Sequence, residues 1–275
     1  MKKKSDSQKE FGYKLMRPFV TIKFKNKYHP VVFGKENIPE KGGIVVCGNH
    51  RHVDDQYNAL IATKRVVHML AKDEYFKGKK EWFYRMAGCI PVDRSIHDEN
   101  AKSEAREILN NKGAIGLFPE GTRNEVTSKE AEIDKVAKIL GISHDEVLDK
   151  LKNKCTRTTQ VNLLIELSNS HKITKDELKE YILKPDESLL KLLKKKIITK
   201  EEYKESLLLP FKFGAVSLAK KTNSLIIPYA TVGNYNGERD QLITRIGSPI
   251  DVSNMDLEDA NKLLREKIIE LMQKI

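Results

Sequence analysis

The chain has 275 residues, of which 39% are hydrophobic, and a formal net charge of +11. This length supports one sizeable domain, or one domain with a small appendage. The sequence has no signal-peptide pattern and no run of about 20 apolar residues, the length needed to span a bilayer. Its three cysteines lack metal-ligand spacing and indicate reduced thiols (Cys47, Cys89 and Cys155). We therefore expect a soluble or peripheral membrane protein of the cytoplasm.

The positive charge is concentrated near the amino terminus. Residues 1–35 contain ten lysines and arginines against two acidic residues, a net charge of +8, and apolar side chains are interleaved with these bases. This combination suits the surface of an anionic lipid leaflet, so we predict a membrane-surface segment over residues 1–30. The alternative is a solvated basic tail leading into a core helix. Nucleic acid is not an expected partner, because no recognition module accompanies the bases.

The first segment with catalytic character follows a predicted strand at residues 44–47. Residues 45–55, VVCGNHRHVDD, begin as an apolar run and break at a glycine into a polar loop that contains His50 and Asp55. The spacing His-x4-Asp is not specific, because it occurs four times in the chain. The setting at a strand end distinguishes this pair, since α/β proteins place their reactive groups there. We predict that His68 is packed and that His144 and His171 lie on the surface.

Alternating strands and helices are predicted over residues 56–124. A helix and a strand cover residues 56–70, and residues 72–85 read as a helix in which Trp82 is a packing anchor. A short strand then ends at Asp93 and Arg94, a helix spans 98–112, and a strand at 114–118 leads into the loop FPEGTRN. This alternation predicts an α/β fold with a mixed sheet.

Four segments in this order resemble the sequence blocks of the glycerolipid acyltransferases. They are Asn49-His50-x4-Asp55, then GCIPVDR at 88–94, FPEGTR at 118–123 and IPY at 227–229. The subgroup that they resemble most is the 1-acyl-sn-glycerol-3-phosphate (lysophosphatidic acid) acyltransferases, over about residues 11–124 and 210–250. The resemblance implies the mixed-sheet glycerolipid acyltransferase fold. It also implies transfer of a fatty acyl group from acyl-CoA or acyl carrier protein to a membrane lipid substrate, which gives phosphatidic acid.

Within this reading the candidate site residues take separate roles. His50 would act as general base toward the acceptor hydroxyl and Asp55 would orient its imidazole. The resemblance assigns the substrate phosphate to Arg94. Gly121, Thr122 and Arg123 could form an anion cradle, while Glu120 would orient Arg123, Arg94 or a substrate hydroxyl. The chemistry requires no metal ion and no cofactor beyond the acyl-CoA or acyl-ACP co-substrate, with acyl carrier protein as one candidate partner.

The sequence departs from the family pattern over residues 125–209, which we call the insert. The insert has 17 basic and 16 acidic residues, and three capping-box patterns begin at Ser143, Thr174 and Thr199. It also contains a duplicated helix start, ITKDELKEYIL and ITKEEYKESLL, so we predict helical hairpins. We weigh a lid, a membrane contact, a docking site for the acyl donor, and a passive decoration as its role.

The acyltransferase core, residues 31–124, is predicted to resume over residues 210–275. A helix is expected at 214–221, strands at 225–232 and 242–246, and a polar helix at 256–275. Pro228 within a strand predicts an edge or a bulge. Two alternatives to lysophosphatidic acid acylation stay open: an acyltransferase for glycerol 3-phosphate or a lysophospholipid, and a catalytically inert membrane adaptor.

Overall fold

The computed structural model describes residues 6–93, 95–96 and 98–273. Within these residues seven strands form one mixed sheet in the order β1-β7-β6-β2-β5-β3-β4. The strands are β1 (Val31–Phe33), β2 (Ile44–Gly48), β3 (Val67–Lys72), β4 (Ile90–Val92), β5 (Ala114–Leu117), β6 (Leu225–Val232) and β7 (Ile243–Ile246). Strands β6, β2, β5, β3 and β4 run parallel, and β7 is antiparallel to β6. The predicted α/β fold with a mixed sheet is therefore confirmed.

Helices cover both faces of this sheet. They are α1 (Asp6–Tyr28), α2 (Gln56–Ala62), α3 (Glu81–Met86), α4 (Glu99–Asn110), α5 (Glu130–Leu140), α6 (His144–Leu151), α7 (Thr158–Asn169), α8 (Lys175–Ile182), α9 (Pro185–Lys194), α10 (Lys200–Glu205), α11 (Gly214–Lys221) and α12 (Leu257–Met272). Alternate residues of β2 point to opposite faces. Ile44 and Val46 pack with α1 and α2, whereas Val45 and Cys47 belong to the hydrophobic cluster that includes α4, α11 and α12. All five residues of β2 are buried, as expected for a strand covered on both sides.

The insert is helical, as predicted, and is packed against the core. The capping boxes at Ser143, Thr174 and Thr199 are all present, with each hydroxyl accepting the backbone N–H three residues on. Buried side chains of α5 to α10 belong to the same hydrophobic cluster as the β2 and β5 face of the sheet. The insert therefore shares a continuous core with the sheet.

The helix α1 has one face on the protein and one face exposed. Tyr13, Phe24 and Tyr28 are buried, which places the first face against α2 and the sheet edge. Four apolar side chains at helical spacing are more than half exposed (Phe11, Leu15, Phe19 and Ile22). In the part of the chain that the structure describes, no helix is long and apolar enough to cross a membrane.

Pro228 was predicted to lie on an edge strand or at a bulge, and the structure shows the bulge and not the edge. Strand β6 has neighbours on both sides, β2 and β7, so Pro228 is not on an edge strand. The pairing slips by one residue beside it, because Tyr229 pairs with Ile246 while Ile226 bridges Ile250. Residues 226 and 229 of β6 are three positions apart, whereas their partners, 250 and 246, are four positions apart. The extra residue on the partner side is a bulge. The bulge accommodates a residue that has no N–H to donate.

The prediction for residues 72–85 was also wrong in part. A 3-10 turn at Asp73–Phe76 and a separate short helix, α3, replace the single predicted helix. Trp82 is 62% exposed and is therefore no packing anchor. The polar run GKK at residues 78–80 interrupts the apolar spacing that one continuous helix would need.

Candidate active site

Two loops meet at one edge of the sheet because their strands are parallel neighbours. Strand β2 pairs in parallel with β5, and their carboxyl ends lead directly into residues 49–55 and 118–124. The carboxyl edge of parallel strands is where α/β folds assemble their sites. Gly48, at the end of β2, allows a close approach, because a Cβ there would lie 2.2 Å from the ring of Tyr229. The two predicted motifs are therefore brought together by strand order.

His50 and Asp55 form a hydrogen-bonded pair in the first loop. The distance from His50 Nδ1 to Asp55 Oδ2 is 3.0 Å, and Asp55 is 1% exposed. The same oxygen accepts the backbone N–H groups of Arg51 (2.5 Å) and His52 (2.6 Å), while Oδ1 accepts the hydroxyl of Tyr235. Burial by itself would raise the pKa of Asp55. Hydrogen bonds and charge from His50, with the His52 amide and Tyr235, hold that pKa below its ordinary value.

An ionised Asp55 fixes the tautomer of His50. A carboxylate can only accept a hydrogen bond, so Nδ1 of His50 carries the proton and Nε2 has a free lone pair. The imidazole is stacked on the ring of Phe118, with centroids 4.0 Å apart and planes 8° from parallel. The His50 side chain is 15% exposed, so the ring remains accessible from one side. This arrangement orients Nε2 as a proton acceptor.

A cavity of about 580 Å³ lies beside the imidazole. Its polar end is formed by His50, Thr122 and Arg123, with the ring of Phe118. Apolar side chains from α1, α2, β3 and α3 form much of the remaining lining, among them Met16, Val20, Leu60, Met69, Leu70 and Phe83. Charged and polar side chains interrupt it (Arg17, Asp54, Gln56, Lys72, Lys80 and Ser128). Ligand sites combine apolar walls with a few convergent polar groups in this way. The cavity can therefore hold an alkyl chain with a polar headgroup near His50.

Of the three roles predicted for Glu120, the structure contradicts the orientation of Arg123. Glu120 is 3% exposed, its Oε1 accepts the N–H of His50 at 2.7 Å, and its Oε2 accepts the N–H of Leu209 at 2.9 Å. Burial raises the pKa of Glu120 to about 7, although both amides act to lower it. With both oxygens on backbone amides, Glu120 does not orient Arg123. The guanidinium of Arg123 instead lies 3.8 Å from Glu125.

The other candidate residues have separate outcomes. Gly121 has a φ of 70° and its N–H donates to the carbonyl of Phe118 at 2.9 Å, so this N–H closes a turn instead of cradling an anion. Thr122 and Arg123 do line the cavity next to His50. Arg94 lies outside the described residues, so its assignment to the substrate phosphate stays a prediction.

Tyr235 is the site residue that the sequence analysis missed. It follows β6 by three positions, and its hydroxyl accepts from the side-chain amide of Asn58 at 2.8 Å while donating to Asp55. Its ring stacks on His52, with centroids 4.0 Å apart. Burial lowers the pKa of His52, which favours the neutral imidazole at this position. Two polar residues just beyond a buried strand end, Asn234 and Tyr235, were the available signal.

The three histidines predicted to lie outside the site, and the cysteines, are placed as expected. His68 is 7% exposed with Nδ1 2.7 Å from the carbonyl of Gly88, so it is packed. His144 and His171 lie at the surface of the insert, where His144 contacts Glu130 and Asp134. The cysteines are free thiols (Cys47, Cys89 and Cys155).

Comparison with known proteins agrees with this site. Residues 29–232 match the Acyltransferase family. Over 96 residues, 34% of this chain, the sequence is 30% identical to the 1-acyl-sn-glycerol-3-phosphate acyltransferase of Bacillus subtilis (strain 168), and the match spans 47% of that relative. The fold is similar to the crystal structure of the 1-acyl-sn-glycerophosphate (LPA) acyltransferase from Thermotoga maritima, with a TM-score of 0.57 and 17% identity over 98% of this chain and 82% of that one.

These similarities differ in how much of the chain they cover and in what they show. At 17% identity the structural match shows the fold, and the aligned segment spans about half the length of the Bacillus relative. The family match is broader, because residues 29–232 include the His50 and Asp55 loop, the FPEGTR loop, the insert and β6. On that match, which covers well over half of its residues, the chain belongs to the Acyltransferase family.

Proposed function

We propose that this protein is an O-acyltransferase that moves a fatty acyl group from a thioester donor to the free hydroxyl of 1-acyl-sn-glycerol-3-phosphate. The product would be phosphatidic acid. The observation that carries the proposal is the His50–Asp55 pair at the polar end of an apolar cavity that also includes Arg123. A base, an anion-binding cation and space for an alkyl chain are the three elements that this reaction needs in one place.

The proton chemistry follows from the geometry of His50. Its Nε2 would accept the proton of the acceptor hydroxyl as the oxygen attacks the thioester carbonyl carbon, and Asp55 would stabilise the resulting imidazolium. Collapse of the tetrahedral intermediate breaks the carbon–sulfur bond, and the leaving thiolate takes the proton from Nε2. His50 is then neutral again, so proton and charge balance over the cycle. General-base help of this kind contributes about 10²- to 10⁴-fold to the rate.

Positioning of the acceptor is assigned to the polar end of the cavity. A guanidinium is well shaped to bind phosphate through two hydrogen bonds, and Arg123 is about one-third exposed beside His50. Thr122 supplies a hydroxyl at the same end. We infer that these residues hold the phosphate and that the acyl chain occupies the apolar part of the cavity. Holding both reactants in place lowers the entropic part of the barrier.

We also propose that the protein works as a peripheral protein on the cytoplasmic face of an anionic membrane. The exposed apolar stripe of α1 is accompanied by four exposed lysines (Lys14, Lys23, Lys25 and Lys27). Each base near an anionic leaflet contributes about 1 kcal/mol of attraction. Met16 and Val20 of the same helix line the cavity, so a lipid acceptor could reach the cavity from the surface on which α1 lies.

Vesicle binding tests the membrane part of the proposal. Replacing Phe11 and Phe19 by serine should reduce cosedimentation with vesicles that contain anionic lipid, because both side chains are at least 70% exposed and available to the lipid. Replacing Phe33, an exposed phenylalanine on β1, by serine is the matched control and should have little effect. Equal binding by all three proteins would contradict the role of α1.

The activity is tested by supplying each donor with each acceptor. Purified protein on vesicles should consume acyl-CoA or acyl carrier protein thioester in the presence of lysophosphatidic acid, with phosphatidic acid as the product identified by mass spectrometry. Parallel reactions contain glycerol 3-phosphate or a lysophospholipid in its place. Turnover with one of those acceptors alone would move the assignment to that acceptor. Vesicle-bound, folded protein without turnover in any combination would favour an inert adaptor.

A further inference from the structure

The backbone N–H and the backbone carbonyl of His50 are both hydrogen-bonded to the FPEGTRN loop. Its N–H donates to Oε1 of Glu120 at 2.7 Å, and its carbonyl accepts the N–H of Asn124 at 2.7 Å. Both loop residues are buried, Glu120 at 3% exposure and Asn124 at 0%. The orientation of the His50 backbone, and hence of its imidazole, therefore depends on where these two residues are held.

Asn124 is held in turn by the insert. Its Oδ1 accepts the N–H of Thr159 at 3.2 Å, and its Nδ2 donates to Oγ1 of Thr159 at 2.9 Å. Thr159 lies in the first turn of α7, where the amides have no partner within the helix, so Asn124 satisfies one of them. The Thr159 hydroxyl also donates to the carbonyl of Ser206 at 2.5 Å.

Glu120 is held by the far end of the insert. Its second oxygen accepts the N–H of Leu209 at 2.9 Å, at the point where the insert returns to the core. Next to this, the N–H of Lys212 donates to the carbonyl of Pro119 at 2.9 Å. Helix α7, inside the insert, and the exit of the insert are thus both bonded to the loop that holds His50.

These contacts argue against a passive decoration and against a lid. A lid must separate from the site, and separation here would break the buried hydrogen bonds of Asn124 and Glu120 and expose the hydrophobic cluster that the insert shares with the sheet. Helix α7 is itself fixed by buried side chains, among them Val161, Leu164 and Leu167. The connection from α7 to His50 is therefore short and well packed.

We propose that the insert is a positioning element for the catalytic base, and that Thr159 is the positioning residue through which α7 fixes Asn124 and hence His50. The kinetic part of this inference rests on the proposed function; the structural part does not. Thr159 touches neither the cavity nor the reacting atoms, so it is not a catalytic residue.

Hydrogen exchange tests the structural part without any assumption about the reaction. Thr159→Val keeps the branched shape and removes the hydroxyl, so the His50 and Asn124 amides should exchange about tenfold faster by mass spectrometry of their peptides. Thr199→Val is the matched control, because the Thr199 hydroxyl caps α10 within the insert and contacts neither Asn124 nor Glu120. Faster exchange of the His50 peptide in both variants, or in neither, would overturn the proposal.

Kinetics test the consequence for catalysis. Thr159→Val should lower kcat by about tenfold with KM for the acceptor changed less than about twofold, because a displaced base affects the chemical step more than binding. Thr159→Ser should restore kcat, and Thr199→Val should retain it even if its thermal midpoint falls equally. A wild-type protein without turnover would refute the proposed function while leaving the exchange result to decide this inference. Unchanged exchange in Thr159→Val refutes the inference whatever the kinetics, and a normal kcat beside faster exchange would refute its claim that α7 positions the base for catalysis.

Discussion

Replacing Asp55 by asparagine separates two effects of a carboxylate on a catalytic histidine: orientation of the imidazole and stabilisation of its positive charge. In this site Oδ2 accepts three N–H groups, from His50, Arg51 and His52, and Oδ1 accepts the Tyr235 hydroxyl. An asparagine would place its carbonyl oxygen at the Oδ2 position, because only an acceptor satisfies the three donors. The Tyr235 hydroxyl can rotate to accept from the new amide. The His50 tautomer is therefore kept while the negative charge is lost.

The size of the effect follows from the distance and the burial. His50 Nδ1 and Asp55 Oδ2 are 3.0 Å apart and Asp55 is 1% exposed. Two unit charges about 4 Å apart attract by about 4 kcal/mol at an effective dielectric constant near 20. The neutral amide retains about 1 kcal/mol as a hydrogen bond. The remaining ~3 kcal/mol corresponds to a loss in kcat on the order of a hundredfold.

The assay is initial-rate thioester consumption over a range of acceptor concentrations. We expect Asp55→Asn to lower kcat by that factor and to leave KM for the acceptor nearly unchanged, because Asp55 does not line the cavity. Asp149→Asn is the matched control, since it belongs to another His-x4-Asp pattern, on the exposed surface of α6, and should keep full activity. A loss below about fivefold in Asp55→Asn would refute charge stabilisation of the imidazolium.

Three further predictions address binding, chain length and pH. Arg123→Ala should raise KM for the acceptor by about 10- to 100-fold, the value of a lost charge-assisted contact, and Arg123→Lys should recover part of it; an unchanged KM would contradict phosphate binding. Val20→Trp should fill part of the cavity and lower turnover with long acyl chains by about tenfold relative to short ones, whereas Phe19→Trp, on the exposed side of the same helix, should not. The pKa of Glu120 is raised to about 7 from an ordinary 4.5, so the folded protein binds an extra proton between those values. As the pH rises through that window, the free energy of unfolding of the wild type should fall by up to about 3 kcal/mol relative to Glu120→Gln. The free energy of unfolding of each protein is measured by urea titration at a series of pH values. The same dependence on pH in both proteins would contradict this prediction.

Local patterns were sufficient to predict much of the fold. The helix at Gly214–Lys221 and the strand at Leu225–Val232 have the predicted bounds, because apolar spacing and flanking turn residues agree there. The three capping boxes of the insert form as predicted, since a capping box involves residues only three apart. The bulge at Pro228 was predictable from the missing N–H, but the central place of β6 depended on strand order, which no local pattern records.

The site was predictable only where its residues are close in sequence or belong to a known motif. His50 and Asp55 meet as expected over five positions. The hydroxyl of Tyr235 reaches Asp55 across 180 positions, and Thr159 reaches Asn124 across 35. Such pairings follow from tertiary packing of β6 and α7, which single-sequence patterns do not contain.

The partners of Glu120 were also not predictable from local sequence. A carboxylate in the FPEGTRN loop suggested a role toward arginine or a substrate hydroxyl. The structure instead uses its two oxygens for two buried backbone amides, one of them 89 positions away at Leu209. The sequence does not show that Glu120 is buried. Because buried backbone amides need hydrogen-bond acceptors, a buried carboxylate pairs with those that lie next to it.

The most direct test of the account compares thiol release from an acyl donor with and without lysophosphatidic acid, in wild type and in His50→Ala. The account predicts acceptor-dependent release by wild type and a loss of at least a hundredfold in His50→Ala. Equal acceptor-dependent release by the two proteins would contradict the central claim that His50 is the base.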